Sequence, residues 1–346
     1  MQLPAFIFTT CQIGAELALK QELARRYPGF KPAFSRPGFV TFKLPPQHNL
    51  TVDWQLDAVF ARSWGFSLGG IEGSPESIVE AIWEQAGDAS YQAVHVFGRD
   101  RKPVRIHGYV PKLEPEDIEL AARLRAARPD LELHEYTRPG DLVLDVIRID
   151  EGQYWLGFHR AGTEVGTWPG GFCLIRQPAD MVSRAYLKME EALRWSQLPV
   201  RPRQRFVEIG SSPGGAAQAL LERGLEVTGI DPAEMHPRIA GDPNFTHIRK
   251  RGADVRRREF RRFRWLAADM NVAPKYTLDT VEGIVTHPEV NIRGMLLTLK
   301  LLDWSLAEQL PEYLFRIRTW GYQRLQARQL HHNHQEICVA AERTGK

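Results

Sequence analysis

Residues 207–215 read VEIGSSPGG, and this stretch decides the fold. An apolar run ends in an acidic residue and a small-residue loop follows, opening onto the helical segment AAQALLER. A strand, a glycine turn and a helix start in that order leave backbone N–H groups free where the main chain can come close to a ligand. The pattern predicts a strand over 206–209, a helix reaching residue 223 and a second strand over 227–230. Asp231, at the end of that second strand, stands 21 residues after Gly210, where its carboxylate can accept both hydroxyls of a nucleoside ribose. A dehydrogenase-type dinucleotide loop needs the order G-x-G-x-x-G, but Gly210 is followed by Ser-Ser-Pro-Gly-Gly. Glu208, Gly210, Ser211, Ser212, Pro213, Gly214, Gly215 and Asp231 are therefore the candidate ligand-binding residues.

The rhythm continues outward from this loop. A helix over 180–196 precedes it. Strands over 265–268 and 296–301, a long helix over 305–320 and two closing strands over 325–330 and 336–341 follow it, with the closing pair read as an edge hairpin. That alternation predicts an α/β fold, a Rossmann-like doubly wound sheet over 179–346. The N-terminal half reads as α+β. Strands are expected at 5–10, 39–44, 94–97, 104–110, 142–149 and 154–159, and helices at 14–26, 77–86 and 116–127. The expected division is 1–70, 71–162, a Gly/Pro-rich linker over 163–178, and the doubly wound domain.

Length and composition set limits. With 346 residues, 43% hydrophobic and 25% charged, the chain is long enough for two or three globular domains. No apolar run approaches the ~20 residues of a membrane span, and residues 1–16 lack a leader pattern, so a cytoplasmic location is expected. The three cysteines, Cys11, Cys173 and Cys338, are widely spaced and never form C-x-x-C, which argues against a disulfide scaffold or a cysteine-rich zinc site. The His331-His332-Asn-His334 tract reads as a hairpin turn rather than a metal site, so no metal is expected.

Charge is unevenly placed. Residues 249–264, RKRGADVRRREFRRFR, hold nine basic and two acidic residues, a local +7 within a chain whose total is +3. Such a run can be a solvated face. Arginine outnumbers lysine eight to one in it, however, and the planar guanidinium suits bidentate phosphate contact. A polyanionic partner, nucleic acid, is expected there, with Arg249, Lys250, Arg251, Arg256, Arg257, Arg258, Arg261 and Arg262 as the contacting residues.

Glu208-Ile-Gly-Ser-Ser-Pro-Gly-Gly resembles the D-L-G-x-x-P-G-G loop of FtsJ-type S-adenosylmethionine-dependent RNA ribose 2′-O-methyltransferases. Within them the chain resembles the RlmM family, cytidine 2′-O-methyltransferases of bacterial large-subunit (23S) ribosomal RNA. The likeness is dense over 163–343: the Thr167-Trp-Pro turn, Ser183-Arg-Ala-Tyr-Leu-Lys-Met-Glu-Glu-Ala, Asp269-Met270, Leu299-Lys300-Leu301, and Ala327-Arg-Gln-Leu-His-His running to Glu336. Cys11-Gln-x-Gly-Ala-Glu and Ser35-Arg-Pro-Gly-Phe are similar to the opening of THUMP-containing RNA-modifying enzymes, implying a ferredoxin-like piece and then a THUMP-like RNA-binding fold. Glu208 stands where the family has aspartate, and Ala216 where an aromatic usually follows the glycines.

The resemblance implies a Lys-Asp-Lys-Glu tetrad, which maps onto Lys188, Asp269, Lys300 and Glu336. It also implies S-adenosylmethionine as cofactor, RNA rather than DNA as the nucleic-acid partner, and an adenine-contacting role for Asp254, with Asp269 bordering the cofactor. The residues have readings of their own. Lys188 falls on an apolar stripe with Met181, Ala185, Ala192 and Trp195. Lys300 interrupts a buried-strand pattern, where an unpaired lysine is rarely tolerated. Asp269 ends a strand, and Glu336 begins the last one. Lys300 is the candidate base or oxygen-orienting group, with Lys188 expected to lower its pKa by like-charge repulsion. Amino-group methyltransferases carry a [D/N]-P-P-[Y/F] turn where this chain has Asp269-Met-Asn-Val, and C5-pyrimidine enzymes need a nucleophilic cysteine. The competing reading is a non-catalytic RNA-binding protein with a vestigial cofactor pocket.

Overall fold

The computed structural model describes residues 3–74, 77–101 and 112–344. The strand expected over 104–110 lies outside them. The chain divides into two compact units, Met1–Leu174 and Ile175–Lys346.

The first unit contains β1 (Phe6–Thr10), α1 (Glu16–Arg26), β2 (Lys31–Arg36), β3 (Phe39–Lys43), β4 (Ser63–Glu72), α2 (Ile78–Ala86), β5 (Ala93–Gly98), α3 (Pro115–Ala127), β6 (Leu142–Asp150) and β7 (Gln153–Arg160). Its sheet runs β2-β3-β1-β4-β7-β6-β5 and is antiparallel except where β5 pairs with β6. α1 forms because Leu19 and Leu23 make one buried stripe, while its buried Glu22 accepts the backbone N–H groups of Val59 and Phe60. The expected boundary at residue 70 falls inside β4. That strand pairs with β1 on one side and β7 on the other, so one sheet crosses the division. The expected linker also shrinks. Its first half folds into 3-10 turns at Val165–Thr167 and Pro169–Gly171 and belongs to this unit, with Gly170 and Gly171 buried.

The second unit contains α4 (Ala185–Ser196), β8 (Arg205–Ile209), α5 (Gly215–Glu222), β9 (Glu226–Ile230), α6 (Pro237–Ala240), β10 (Phe245–Ile248), β11 (Trp265–Ala268), α7 (Pro274–Val285), β12 (Gly294–Lys300), α8 (Leu310–Thr319), β13 (Arg324–Arg328) and β14 (Glu336–Glu342). Strand order is β10-β9-β8-β11-β12-β14-β13, parallel from β10 to β12 and closed by the antiparallel β13–β14 hairpin. This is the Rossmann-like sheet expected from the sequence. Strand order reverses direction between β8 and β11, the switch point where open α/β sheets form ligand crevices beyond the strands' carboxyl ends.

Three details differ from the sequence reading. α4 starts at Ala185, so Met181 precedes the helix rather than extending its stripe. The long helix expected over 305–320 is a 3-10 segment, Trp304–Gln309, followed by α8. Pro311 sits in the first turn of α8, where its fixed φ and missing N–H are tolerated. β10 is a short, half-exposed edge strand without the apolar run that marks its neighbours.

Candidate active site

Tetrad and loop both lie at the carboxyl edge of the parallel strands. β12 ends in Lys300, and the antiparallel register of β14 sets Glu336 opposite it. Asp269 follows β11, one strand over, and its N–H donates to the carbonyl of Ile209 at the end of β8. α4 packs on α5 and β14 and brings Lys188 from above. The four side chains close into a ring in which each lysine meets both carboxylates. Lys300 Nζ lies 2.8 Å from Asp269 Oδ1 and 2.6 Å from Glu336 Oε2. Lys188 Nζ lies 3.3 Å from Asp269 Oδ2 and also pairs with Glu336 Oε1. Glu336 is almost wholly enclosed, at 3% side-chain exposure, whereas both lysines and Asp269 keep about a fifth of their surface open.

The electrostatics follow from that alternation. Burial of Glu336 opposes its charge, but Lys188 and Lys300 outweigh it and hold the carboxyl down at about 2. Burial likewise opposes the charge on Lys300, and Glu336 and Asp269 outweigh it, raising the ammonium above its ordinary value. This corrects the expected lowering by Lys188. The carboxylates stand between the lysines, so attraction to them governs Lys300 rather than repulsion by its twin.

The glycine turn lies beside the ring. Gly210 has φ 83°, and a Cβ there would sit 2.6 Å from the carbonyl oxygen of Asp269, so only glycine lets the two loops pass. Asp231 is clamped at the end of β9 by the N–H groups of Ser212 at 3.1 Å and Ala233 at 2.8 Å. Each of its oxygens keeps a lone pair for a further donor. Glu208 is 2% exposed and accepts the Ser211 hydroxyl at 2.7 Å, bracing the loop from beneath. Burial, with Asp269 and Asp231 nearby, pushes its carboxyl up to about 8.

Residues 181–317 match the FtsJ-like methyltransferase family. The chain is 34% identical over 182 residues to ribosomal RNA large subunit methyltransferase M of Halorhodospira halophila, covering 51% of each. It is 31% identical over 184 residues to the protein of that name from Laribacter hongkongensis, covering 50% of this chain and 51% of that one. The chain spans about half the length of the curated relatives it matches. Among solved structures it is similar to TrmN from Thermus thermophilus, at a TM-score of 0.36 and 15% identity, over 98% of this chain and 99% of that one.

The FtsJ-like match spans the glycine loop and three of the tetrad positions, and Glu336 lies beyond its end. Asp254 sits exposed in a 3-10 turn, Gly252–Asp254. The arginine run belongs to the same unit. Arg249, Lys250, Arg251, Arg256, Arg258, Arg261 and Arg262 are exposed. Arg257 differs from the expectation because its guanidinium donates to the carbonyls of Gly252 and Val255 and braces the segment. The interleaved Phe260 and Phe263 are buried and anchor the run, leaving the cations outermost.

Sequence reasoning missed Glu191. Fully buried on α4, it accepts the N–H groups of His331 at 2.9 Å and His332 at 2.8 Å. It thereby ties the helix that carries Lys188 to the loop that leads into Glu336. Asn333 Nδ2 also donates to Glu336 Oε1 at 3.3 Å. An acidic residue at an otherwise buried helical position was the available signal. The His331–His334 tract is the turn of the β13–β14 hairpin, as expected.

Proposed function

We propose that the chain is an S-adenosylmethionine-dependent ribosomal RNA methyltransferase that modifies a ribose 2′-hydroxyl, on a cytidine of the large-subunit (23S) RNA. The observation that carries this reading is the Lys188–Asp269–Lys300–Glu336 ring, open on one side and set against the glycine turn. The turn's chemistry fits the cofactor, with backbone brought close at Gly210 and a clamped acceptor, Asp231, for two ribose hydroxyls. Gly210–Gly215 and Asp231 would hold it, with Asp254 near its base and Glu208 supporting the loop. When bound, S-adenosylmethionine supplies an electrophilic methyl group.

The residues of the ring supply position and proton control. In the resting ring Lys300 is charged and held by two carboxylates, so it can donate a hydrogen bond to a ribose oxygen without first losing a proton. Its ammonium then orients that oxygen for in-line attack, and positioning alone supplies much of the rate. For Lys300 to take the hydroxyl proton it must first pass its own to a carboxylate or to water, and Asp269 is the partner with an open side.

RNA affinity is assigned to the exposed cations of the 249–264 run together with the N-terminal unit. A ribose hydroxyl is reached without reading a base, so site choice has to come from RNA shape. The test is mapping of 2′-O-methyl groups in ribosomal RNA with and without the gene, paired with calorimetry of S-adenosylmethionine on wild type and Asp231→Ala. A methyl lost at one cytidine, with affinity reduced about 10- to 100-fold in the variant, is expected. An unchanged methylation map overturns the activity, and equal affinity overturns the placement of the cofactor.

A further inference from the structure

The first unit contains a second cluster of titratable groups, unrelated to the proposed methyl transfer. His95 on β5, Asp145 on β6 and His159 on β7 lie on one face of three neighbouring strands. Register sets His95 against Asp145, and His159 against Val143, two residues from Asp145. All three are buried, at 2%, 2% and 6% exposure. Asp145 Oδ2 lies 2.6 Å from His159 Nδ1. Asp145 Oδ1 lies 3.7 Å from His95 Nδ1, a nitrogen that has no hydrogen-bond partner.

The remaining ring nitrogens are already engaged. His159 Nε2 faces the Gly166 carbonyl at 2.8 Å, and because a carbonyl only accepts, that nitrogen carries the hydrogen. His95 Nε2 lies 2.7 Å from Thr137 Oγ1. Both imidazoles are therefore oriented from outside with Nδ1 turned toward one carboxylate. Outer partners that fix the tautomer and aim of each ring are the usual support of histidine metal ligands. Two imidazoles and a carboxylate suit zinc and its first-row neighbours. Among the described residues this is the one histidine, cysteine and carboxylate group whose donor atoms all come within 4.8 Å of one another.

We propose that His95, Asp145 and His159 bind a zinc-type divalent ion that fastens β5, β6 and β7 together. The ion takes Nδ1 of each histidine and the carboxylate of Asp145, and the proton held between His159 and Asp145 leaves to solvent. His95 Nδ1, which reaches Asp145 Oδ1 only at 3.7 Å, then gains a direct bond.

The test uses the full chain, stripped with chelator and titrated with Co²⁺ alone while visible d–d absorption is followed. One equivalent should bind, Zn²⁺ should displace it, and X-ray absorption of the zinc-loaded chain should read two imidazoles and oxygen. His95→Gln should weaken binding at least tenfold. A second variant, His331→Ala with His334→Ala, removes the other histidine tract and should leave binding intact. Absence of stoichiometric binding, a zinc spectrum without two imidazoles, unchanged affinity in folded His95→Gln, or loss in the His331/His334 variant overturns the proposal. Should His95→Gln fail to fold, the wild-type spectrum and the tract variant decide.

Discussion

Each unit of this molecule builds a seven-stranded sheet and sets a compact group of charges against it, but the two groups are placed differently. In the second unit Lys188, Asp269, Lys300 and Glu336 sit past the carboxyl ends of parallel strands, where loops leave one side open. In the first unit His95, Asp145 and His159 lie on the sheet face itself, closed from solvent. Parallel strands bring several chain ends to one edge, whereas a mostly antiparallel sheet sends alternate strand ends to opposite edges. Charge at a shared edge can meet a substrate. Charge within a face can meet only its neighbours or an ion.

The sharpest way to break this contrast is Lys300→Ala. Methyl transfer to RNA should fall about 10²- to 10⁴-fold while S-adenosylmethionine affinity stays within a few-fold. Lys300→Arg should fail as well, because guanidinium holds its proton at any working pH. An active arginine variant would restrict Lys300 to orienting the ribose oxygen.

In the first unit the corresponding change should act on stability instead. Burial opposes the charge of His159, but Asp145 outweighs it and raises the imidazole above its ordinary value. Asp145→Asn leaves that charge buried and unpaired, which in metal-free protein should cost about 3–5 kcal/mol on denaturant unfolding. A neutral effect would mean that the cluster is not ionised.

Glu208 sharpens the comparison from within the second unit, because it is a closed carboxyl beside an open site. Its folded-state value near 8 stands above the ordinary 4.5, so the folded protein holds this proton more tightly than the unfolded chain. The stabilisation is complete below about pH 4.5 and is lost as pH rises toward 8. The slope should be at most about 1.4 kcal/mol per pH unit. Glu208→Gln keeps an acceptor for Ser211 and should abolish that slope in pH-resolved unfolding. A slope that persists in the variant would assign it to another group.

The smallest effect concerns the arginine run. Arg256→Ala with Arg258→Ala should flatten the dependence of log RNA affinity on log salt by up to about two, near one per lost phosphate contact. Arg257→Ala should act on stability instead, since its guanidinium is spent on backbone carbonyls. An unchanged slope in the double variant would make the run a solvated face.

The sequence by itself determined the second unit's architecture and the position of its loop. Val207–Gly215, Asp231 and the buried runs of β8, β11 and β12 carry strong local signals, because parallel central strands are apolar on both faces and glycine turns are short-range chemistry. It also marked Lys300 as a lysine in apolar company, whereas Glu336 read by itself is only the charge that begins the last strand and was singled out by the resemblance alone. The tertiary structure decided how they act, since the register of β12 on β14 places carboxylates between the two lysines and so raises the proton affinity of Lys300. Glu191, the bracing role of Arg257 and the His95–Asp145–His159 cluster were likewise illegible. Their partners are 140 residues away for Glu191, backbone carbonyls for Arg257, and separate strands for the cluster. The continuity of the first sheet was hidden for the same reason: β4 is interrupted by Gly65, Gly69 and Gly70, and becomes a strand only through its pairing with β1 and β7. Local pattern reports what a segment prefers. Which distant charges and hydrogen-bond partners it meets is set by strand order and register, and that is where the chemistry of this protein is decided.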